Sequence, residues 1–340
     1  MPSESSSRVV FERFTSQALV DNPLGDPVTR VVPVYLPPGY DQEPERGYPT
    51  IYILAGFGSR GLAMLNDSLW EENIQQRLDR LIREGDLPPV IAVLPDASTR
   101  YGGSQYLNSS ALGRYEDHIL ELVDFIDARY RTLADRDHRA IMGHSSGGYG
   151  AITLAMKHPD RFGLVADHAG DKYFELAYQP EFPKLLRFAL LQGREGLRKL
   201  LENPAAYQPK DGLFFATLNL LAMAAAYSPN PYAEWGFDLP LDLDTGALRP
   251  EVWARWQAHD PIHLAGVYRD ALASLRFLYL DCGLYDEYNL LYGARQMNQR
   301  LTAYGIPHVY EEFPGGHRGT RYRFDVSLRL MGALWKDEGL

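Results

Sequence analysis

Short apolar runs rich in β-branched residues alternate along the chain with stretches of helical periodicity. This alternation is typical of strands joined by crossover helices, and it predicts an α/β fold with a mostly parallel, twisted sheet flanked by helices. We expect antiparallel pairing only at the edge, because turn-rich segments follow the first strands. The predicted strands cover residues 31–35, 50–54, 90–94, 140–142, 163–167, 275–281 and 308–313, with an extra edge strand at 14–19.

The helical pattern is clearest between residues 112 and 130. Apolar residues recur there at three- and four-residue spacing and form one stripe that should lie on the sheet. An earlier helix is predicted to open at Ser68, because a glutamate three positions later gives the spacing of a capping box. A third helix should start near Gly147 and stop near His158, because the proline that follows disfavours a helical residue before it.

The strand–helix alternation breaks down between residues 172 and 262. We therefore predict one catalytic domain, formed by residues 1–171 and 263–340, with a helical cap insertion at 172–262. The apolar run at 212–227 contains Asn219 and is shorter than the roughly 20 residues of a bilayer span, so we expect a buried cap helix and no membrane span. The predicted cap helices are 182–192, 195–202, 212–227 and 251–259.

Composition and charge exclude several classes of protein. With 340 residues, of which 45% are hydrophobic and 23% charged, the chain matches an ordinary globular protein. Its formal net charge of −10 argues against a nucleic-acid partner, which favours clustered Lys and Arg. The first residues lack the basic and apolar regions of a secretory signal, which predicts a cytoplasmic protein. The single cysteine, Cys282, excludes an intramolecular disulfide. The sequence leaves a homodimer open.

The segment from Gly143 to Gly147 carries the strongest chemical signal, since it reads Gly-His-Ser-Ser-Gly. It follows a short apolar strand and precedes a helical Ala-Ile-Thr-Leu-Ala-Met run, which is the strand–turn–helix setting of a nucleophile elbow. Side chains at the two glycines would collide with packed neighbours in such a turn. Ser145 is therefore the predicted nucleophile. A Gly- and Ser-rich helix cap without chemistry is the alternative interpretation.

Attack by serine on a carbonyl requires hydrogen-bond donors for the oxyanion. The amide of Ser146, at the start of the following helix, is one candidate, and the helix dipole adds positive potential there. The second donor should come from the loop after an earlier strand, where glycines allow the amide of Phe57 or Gly58 to turn inward. The same loop could be a plain glycine-rich turn. A phosphate cradle is a poor alternative, because Gly-Lys-Ser/Thr is missing.

Serine also needs a base, and the base needs a carboxylate that fixes its tautomer. His317 is the only one of nine histidines in a glycine-flanked loop after a terminal strand, which makes it the predicted base. Asp286 follows the preceding strand and is the preferred acid, with Glu287 and Asp281 as rivals. Both loops follow strand carboxyl ends, where open α/β sheets place their sites.

Four further residues follow core strands and are predicted to line the substrate pocket, with structural roles as the main alternative: Tyr101, His168, Asp171 and Tyr173. His144 adjoins the nucleophile, and we expect it to point away and pack inside the elbow. No metal-binding spacing such as His-Glu-x-x-His is present, so the sequence implies no metal and no cofactor.

These segments together resemble the putative-esterase family of α/β-hydrolases, which includes S-formylglutathione hydrolases, feruloyl esterases, enterochelin esterase-like enzymes and mycolyltransferases. The resemblance implies an α/β-hydrolase fold with Ser145, Asp286 and His317 as the triad. The similar segments are Val34-Tyr-Leu-Pro-Pro-Gly-Tyr, Tyr48-Pro-Thr-Ile-Tyr-Ile-Leu-Ala-Gly, Gly143-His-Ser-Ser-Gly-Gly-Tyr-Gly-Ala, His158-Pro-Asp-Arg-Phe, Asp281-Cys-Gly-Leu-Tyr-Asp and Gly315-Gly-His.

Two segments depart from the family pattern. Many relatives carry His-Gly where this chain has Ala55-Gly, and Ser-Met-Gly-Gly where it has Ser145-Ser-Gly-Gly. Neither change removes a backbone amide, so we expect the oxyanion hole to be kept. The insertion of roughly 90 residues is larger than in the simplest members, so their substrates do not transfer directly.

The predicted function is a serine carboxylesterase that hydrolyses a small-molecule ester through an acyl-enzyme. The cap is rich in Phe, Leu, Ala and Tyr, which favours an apolar or aromatic acyl or alcohol group. An acyltransferase or a thioesterase would use the same residues. A non-catalytic binding protein is a further alternative, against which the complete triad argues.

Overall fold

A single eight-stranded sheet organises the chain, whose computed structural model describes residues 6–207 and 212–340. The spatial order is β1-β2-β4-β3-β5-β6-β7-β8, with antiparallel pairing of β1 with β2 and of β2 with β4, and parallel pairing elsewhere. The predicted mostly parallel sheet with an antiparallel edge is confirmed. The strands are β1 Arg8–Thr15, β2 Thr29–Leu36, β3 Thr50–Leu54, β4 Ile91–Val93, β5 Arg139–His144, β6 Leu164–His168, β7 Phe277–Gly283 and β8 Val309–Phe313.

Eleven α-helices are present in the described ranges, together with a short ribbon in which Asn108–Ser109 pairs with Gly113–Arg114. None of these helices is long and apolar enough to cross a membrane. The helices are α1 Ile74–Arg83, α2 Tyr115–Arg129, α3 Ser146–Lys157, α4 Phe174–Ala177, α5 Phe182–Glu202, α6 Gly212–Tyr227, α7 Pro250–Gln257, α8 Pro261–Val267, α9 Arg269–Ala273, α10 Leu290–Ala303 and α11 Phe324–Lys336.

The edge strand lies earlier than the sequence predicted. Strand β1 covers Arg8–Thr15, whereas the prediction placed it at residues 14–19. The hydroxyl of Ser16 and the amide of Ala18 donate hydrogen bonds to the carboxylate of Glu121 on α2. These long-range contacts hold the segment against a helix, so it does not extend the strand.

The first helix begins after the predicted capping box. Helix α1 is capped by Asn73, whose side chain accepts a hydrogen bond from the Gln76 amide, while the Gln76 side chain accepts one from the Asn73 amide. Ser68 instead accepts a hydrogen bond from the amide of Trp70 in a turn. The prediction of a helix start at Ser68 was therefore wrong, because the same type of capping pair recurs five residues later.

Two apolar cores lie on opposite faces of the sheet, because side chains alternate along each strand. On β3, Ile51 and Ile53 pack in the core that contains α1 and α11, whereas Tyr52 and Leu54 pack in the larger core with α2 and α3. Helices α5 to α7 extend the larger core beyond the sheet. They follow the carboxyl end of β6, so they stand over the edge where β3, β5, β7 and β8 also end.

The stretch predicted as a cap is helical in the part that the structure describes. The two helices expected at 182–192 and 195–202 form one helix, α5, with a kink at Gly193, where φ is 66° and ψ is −177°. Since a left-handed φ is easy only for glycine, this residue marks the break that the sequence suggested. The division into a catalytic domain and a cap at 172–262 stays a prediction.

Candidate active site

The predicted elbow is a sharp turn between β5 and α3. Ser145 stands between them with φ 60° and ψ −129°, a conformation that is costly for a residue with a side chain. A Cβ atom on Gly143 would lie 2.5 Å from the carbonyl carbon of Gly147, and one on Gly147 would lie 2.2 Å from the carbonyl oxygen of Leu54. Only glycine fits at both places, which holds the serine clear of the sheet.

Three side chains from three separate loops form a continuous hydrogen-bonded chain. Ser145 Oγ lies 2.9 Å from His317 Nε2, and His317 Nδ1 lies 2.8 Å from Asp286 Oδ2. Asp286 follows β7, and His317 follows β8, so both are carried by the carboxyl ends of neighbouring parallel strands. The structure brings together the three residues that the sequence predicted as a triad.

Backbone and side-chain contacts fix the acid. Asp286 Oδ1 accepts hydrogen bonds from the amides of Tyr288 and Leu290, at 2.9 and 3.3 Å. Burial opposes ionisation of Asp286, but the hydrogen bond from His317 and its charge, with these amides, lower the pKa of the carboxyl below its usual value. The carboxyl is therefore an anion held in place beside the imidazole.

The two rival acids have other partners. Glu287 Oε2 accepts a hydrogen bond from the backbone amide of His317, at 2.6 Å, so it holds the loop that carries the imidazole. Asp281 lies 2.9 Å from His168 Nδ1 and accepts a hydrogen bond from Arg323 Nε at 2.9 Å. Burial tends to raise the pKa of Asp281, but these two groups outweigh it and lower the pKa. Neither side chain contacts a ring nitrogen of His317.

Two backbone amides remain available near the nucleophile. Ser146 is the first residue of α3, so its amide has no partner inside the helix. The amide of Gly58 donates to the carbonyl of Gly102 at 3.0 Å, which removes it from the predicted oxyanion donors. The amide of Phe57 has no acceptor among the described residues. A Cβ on Gly56 would lie 3.4 Å from Ser145 Cβ, which shows how closely this loop approaches the elbow.

His144 lies nearer the site than the sequence suggested. Its ring centroid is 4.5 Å from that of His317, and the residue lines the same pocket as Ser145. Burial and the neighbouring His317 and His168 lower the pKa of His144 to about 3. The expectation that it points away was therefore wrong. The ring packs beside His317 as a neutral group and places no second positive charge there.

A pocket of about 370 Å³ opens above Ser145, which is within the size range of small-molecule sites. Its walls are mainly apolar. Phe57, from the loop after β3, meets Phe215, from α6, edge to face with ring centroids 5.6 Å apart. The predicted cap helix therefore supplies one wall and the catalytic edge of the sheet the other.

Among the predicted pocket residues, only Asp171 lines this pocket. His168 is buried between Asp281 and Ser327 Oγ, with 2.9 Å to each, so it connects β6, β7 and α11. Tyr101 is buried, and Tyr173 packs against the larger core. The prediction that Tyr101, His168 and Tyr173 reach the pocket was wrong. These side chains pack against segments that are distant in sequence.

Sequence reasoning missed the side chains around Asp171. Its Oδ2 accepts hydrogen bonds from Gln105 Nε2 at 2.9 Å, from Tyr178 OH at 3.0 Å and from Ser146 Oγ at 3.3 Å. Burial raises the pKa of Asp171 despite these donors. Gln105 has a left-handed φ of 52°, and no local sequence signal predicts that strained position. The cluster forms only when three distant segments pack together.

The site holds no metal-binding arrangement in the residues that the structure describes. No group of three or more His, Cys, Asp or Glu side chains between 6 and 207 or between 212 and 340 could hold a metal ion. Cys282 is buried, and its thiol contacts Asp286 Oδ2 at 3.7 Å.

Comparison with known proteins assigns the chain to a protein family. The family model described as Putative esterase matches residues 28–331. Esterase Rv1288 of Mycobacterium tuberculosis is 26% identical over 340 residues, which cover 95% of this chain and 59% of that protein. An endo-1,4-beta-xylanase/feruloyl esterase of Xylanibacter ruminicola is 27% identical over 186 residues, which cover 50% of this chain and 24% of the relative. The chain thus spans about three fifths of the length of the first relative.

Solved structures show the same fold. A ferulic acid esterase aligns with a TM-score of 0.61 and 20% identity over 97% of this chain and 99% of its own. S-formylglutathione hydrolase (FrmB) of Staphylococcus aureus aligns with a TM-score of 0.60 and 17% identity over 96% of this chain and 99% of its own. At 17–20% sequence identity, this likeness supports the α/β-hydrolase fold alone. With most of its length matched by the family model, the chain belongs to the Putative esterase family and has the α/β-hydrolase fold.

Proposed function

We propose that the protein is a serine carboxylesterase that hydrolyses small-molecule esters through an acyl-enzyme. The observation that carries the proposal is the hydrogen-bonded chain from Ser145 Oγ through His317 to Asp286. Beside it lie the amides of Phe57 and Ser146, which donate to no acceptor in the part of the chain that the structure describes. Family membership supports the same activity. None of the pocket residues described above favours the acyltransferase, thioesterase or binding-protein alternatives.

In the first half-reaction, Ser145 Oγ attacks the ester carbonyl carbon while His317 Nε2 accepts the hydroxyl proton. The carbonyl oxygen becomes an oxyanion, to which the amides of Phe57 and Ser146 donate hydrogen bonds. Asp286 accepts a hydrogen bond from the Nδ1–H group of His317 and stabilises the imidazolium. The tetrahedral centre then expels the alkoxide, which takes the proton from His317 and leaves as the alcohol.

In the second half-reaction, His317 Nε2 accepts a proton from water, and the resulting hydroxide attacks the acyl-enzyme carbonyl. The same two amides stabilise the second oxyanion. Collapse breaks the bond to Ser145 Oγ, which regains its proton from His317, and the carboxylic acid is released. The apolar pocket walls support an apolar or aromatic group on the substrate.

The cytoplasmic location and the homodimer stay predictions.

The test is hydrolysis of p-nitrophenyl esters, from acetate to long acyl chains, by wild type and Ser145→Ala. We expect the variant to lose at least about 10³-fold in kcat with unchanged circular dichroism. Ser110→Ala is the matched control, because Ser110 is an exposed serine away from the pocket. Equal activity of wild type and Ser145→Ala would refute the proposed mechanism.

A further inference from the structure

Helix α6 carries two polar side chains, Thr217 and Asn219, inside an apolar run. Asn219 lines the pocket, and its side chain makes no hydrogen bond with any residue of the described ranges. Thr217 on the same helix bonds the carbonyl of Leu213 instead, which is the usual way to satisfy a hydroxyl within a helix. Asn219 is half-buried, so its amide is accessible from the pocket and can bind a polar group there.

The position of Asn219 relates it to the Asp171 cluster. Residues 219, 223 and 227 share one face of α6, because they are four positions apart. Met223 Sδ lies 3.3 Å from Tyr178 OH, and Tyr227 OH accepts a hydrogen bond from Gln105 Nε2 at 2.9 Å. Asn219 lies about one turn, or roughly 6 Å, before Met223 along this stripe. Asn219 therefore lies on the same helix face that contacts the Asp171 cluster, at the end nearer the pocket.

The two oxygens of Asp171 differ in their partners. Oδ2 accepts hydrogen bonds from Gln105, Tyr178 and Ser146, which fix the carboxyl plane. Oδ1 accepts none from the residues that the structure describes. This atom is also not fully enclosed by protein. Since Asp171 lines the pocket, Oδ1 is its oxygen that can still accept a hydrogen bond from a group in the pocket.

We infer that Asp171 Oδ1 and the Asn219 amide form a polar subsite that binds a neutral hydroxyl group on the acyl or alcohol part of the ester. This inference rests on the proposed esterase function. The hydroxyl donates to the carboxyl oxygen and accepts from the amide, so each group gains the partner that it lacks. The subsite selects hydroxylated esters over their unsubstituted counterparts.

Charge at the pocket mouth favours a hydroxyl over an ammonium group. Arg318 and Arg321 line the same pocket and are exposed, and neither forms an ion pair with a described residue. The two glutamates of the pocket are paired, Glu72 with Arg80 and Glu181 with Lys184. The unpaired guanidinium groups repel a cation that enters the pocket, whereas a neutral hydroxyl is unaffected.

The experiment compares kcat/KM within matched pairs of esters. The pairs are methyl phenylpropanoate, phenethyl acetate and methyl hexanoate, each with its counterpart carrying a terminal hydroxyl (para on the rings, at the chain end on hexanoate). We expect wild type to prefer the hydroxylated ester by about tenfold in at least one pair. A para-aminomethyl counterpart, charged at neutral pH, gains no such preference.

Two variants test the subsite residues through the same ratio. Asn219→Leu suits an apolar helix and should bring the ratio to about one. Asp171→Asn can keep an acceptor for Tyr178 and Gln105 while it turns a donor towards the pocket, so it should also abolish the preference. Thr217→Val is the control on the same helix, because Thr217 lies outside the pocket, and it should keep the wild-type ratio.

Three outcomes would overturn the inference. Equal rates within every pair, with hydrolysis still dependent on Ser145, would remove the subsite and leave the proposed function standing. An unchanged ratio in a folded Asn219→Leu would also remove it, and so would a preference for the ammonium ester. Hydrolysis of no ester by wild type would instead reject the proposed function, and the subsite with it.

Discussion

Asp281, Asp286 and Glu287 are close in sequence, yet each contacts a different group. Asp286 accepts from the His317 ring, Glu287 accepts from the His317 backbone amide, and Asp281 bonds His168 and Arg323. Three carboxylates of one segment thus have three separate tasks. Their substitutions should therefore differ in which property they change.

Asp286→Asn should lower kcat by about 10⁴-fold, because the amide no longer favours the tautomer in which His317 Nε2 can accept a proton. The measurement is steady-state kinetics with the best p-nitrophenyl ester. Glu287→Gln should cost much less, since its effect is limited to the loop. Asp281→Asn should mainly lower the free energy of unfolding, with a smaller effect on kcat. A larger kcat loss in Glu287→Gln than in Asp286→Asn would contradict this assignment.

At the scale of elements, the site depends on how β5 turns into α3. The carbonyl of Leu54 on β3 and the turn around Gly147 approach so closely that no side chain fits between them. Rigid backbone atoms form this contact, so it cannot relax by a change of rotamer. The elbow therefore packs two strands against a helix, and it also positions Ser145.

Gly143→Ala should destabilise the protein by about 3 kcal/mol or more and lower activity, because its methyl group would lie 2.5 Å from a backbone carbon. Urea unfolding and ester hydrolysis measure the two effects. Gly212→Ala is the matched control, since a Cβ there meets no atom of the described residues within 4 Å and alanine favours a helix. Equal stability of the two variants would show that the elbow is not tightly packed.

At the scale of the whole molecule, three histidines in separate regions have a lowered pKa; His118 is buried, and His144 and His259 are half-buried. Burial lowers the pKa of His118, on α2, from 6.5 to about 4, that of His144 to about 3 and that of His259, after α7, to about 4. Between these values and pH 6.5, the unfolded chain binds protons that the folded protein does not bind. Each histidine therefore lowers stability as the pH falls through this window.

His118→Phe should flatten the fall in the free energy of unfolding between pH 6.5 and 4 by about 1.4 kcal/mol per pH unit. The slope is the readout, because loss of the hydrogen bond between His118 and the Asp96 carbonyl also changes the absolute stability. Urea unfolding at several pH values gives the slope. His263→Asn, at an exposed position, serves as the control. An unchanged slope in His118→Phe would mean that this ring is protonated in the folded protein.

Several features were predictable because neighbours in sequence determine them. Every strand of the sheet except β1 lies within two residues of its predicted bounds, since periodicity and turn residues mark strands locally. The glycines around Ser145 and the chain order of Ser145, Asp286 and His317 pointed to the three side chains that the structure brings together. Conversely, β1 was displaced because Glu121, far along the chain, binds the segment that looked like a strand.

By itself, the sequence determined the α/β-hydrolase sheet, the elbow and the order of the three candidate catalytic groups, because these follow from local patterns and chain topology. Only the tertiary structure decided that the Gly58 amide is occupied by Gly102 and that His168 is enclosed by Asp281 and Ser327. It alone brought the face of α6 with Asn219 to the Asp171 cluster. These contacts join segments distant in sequence, and their partners are fixed by packing, which no local pattern encodes.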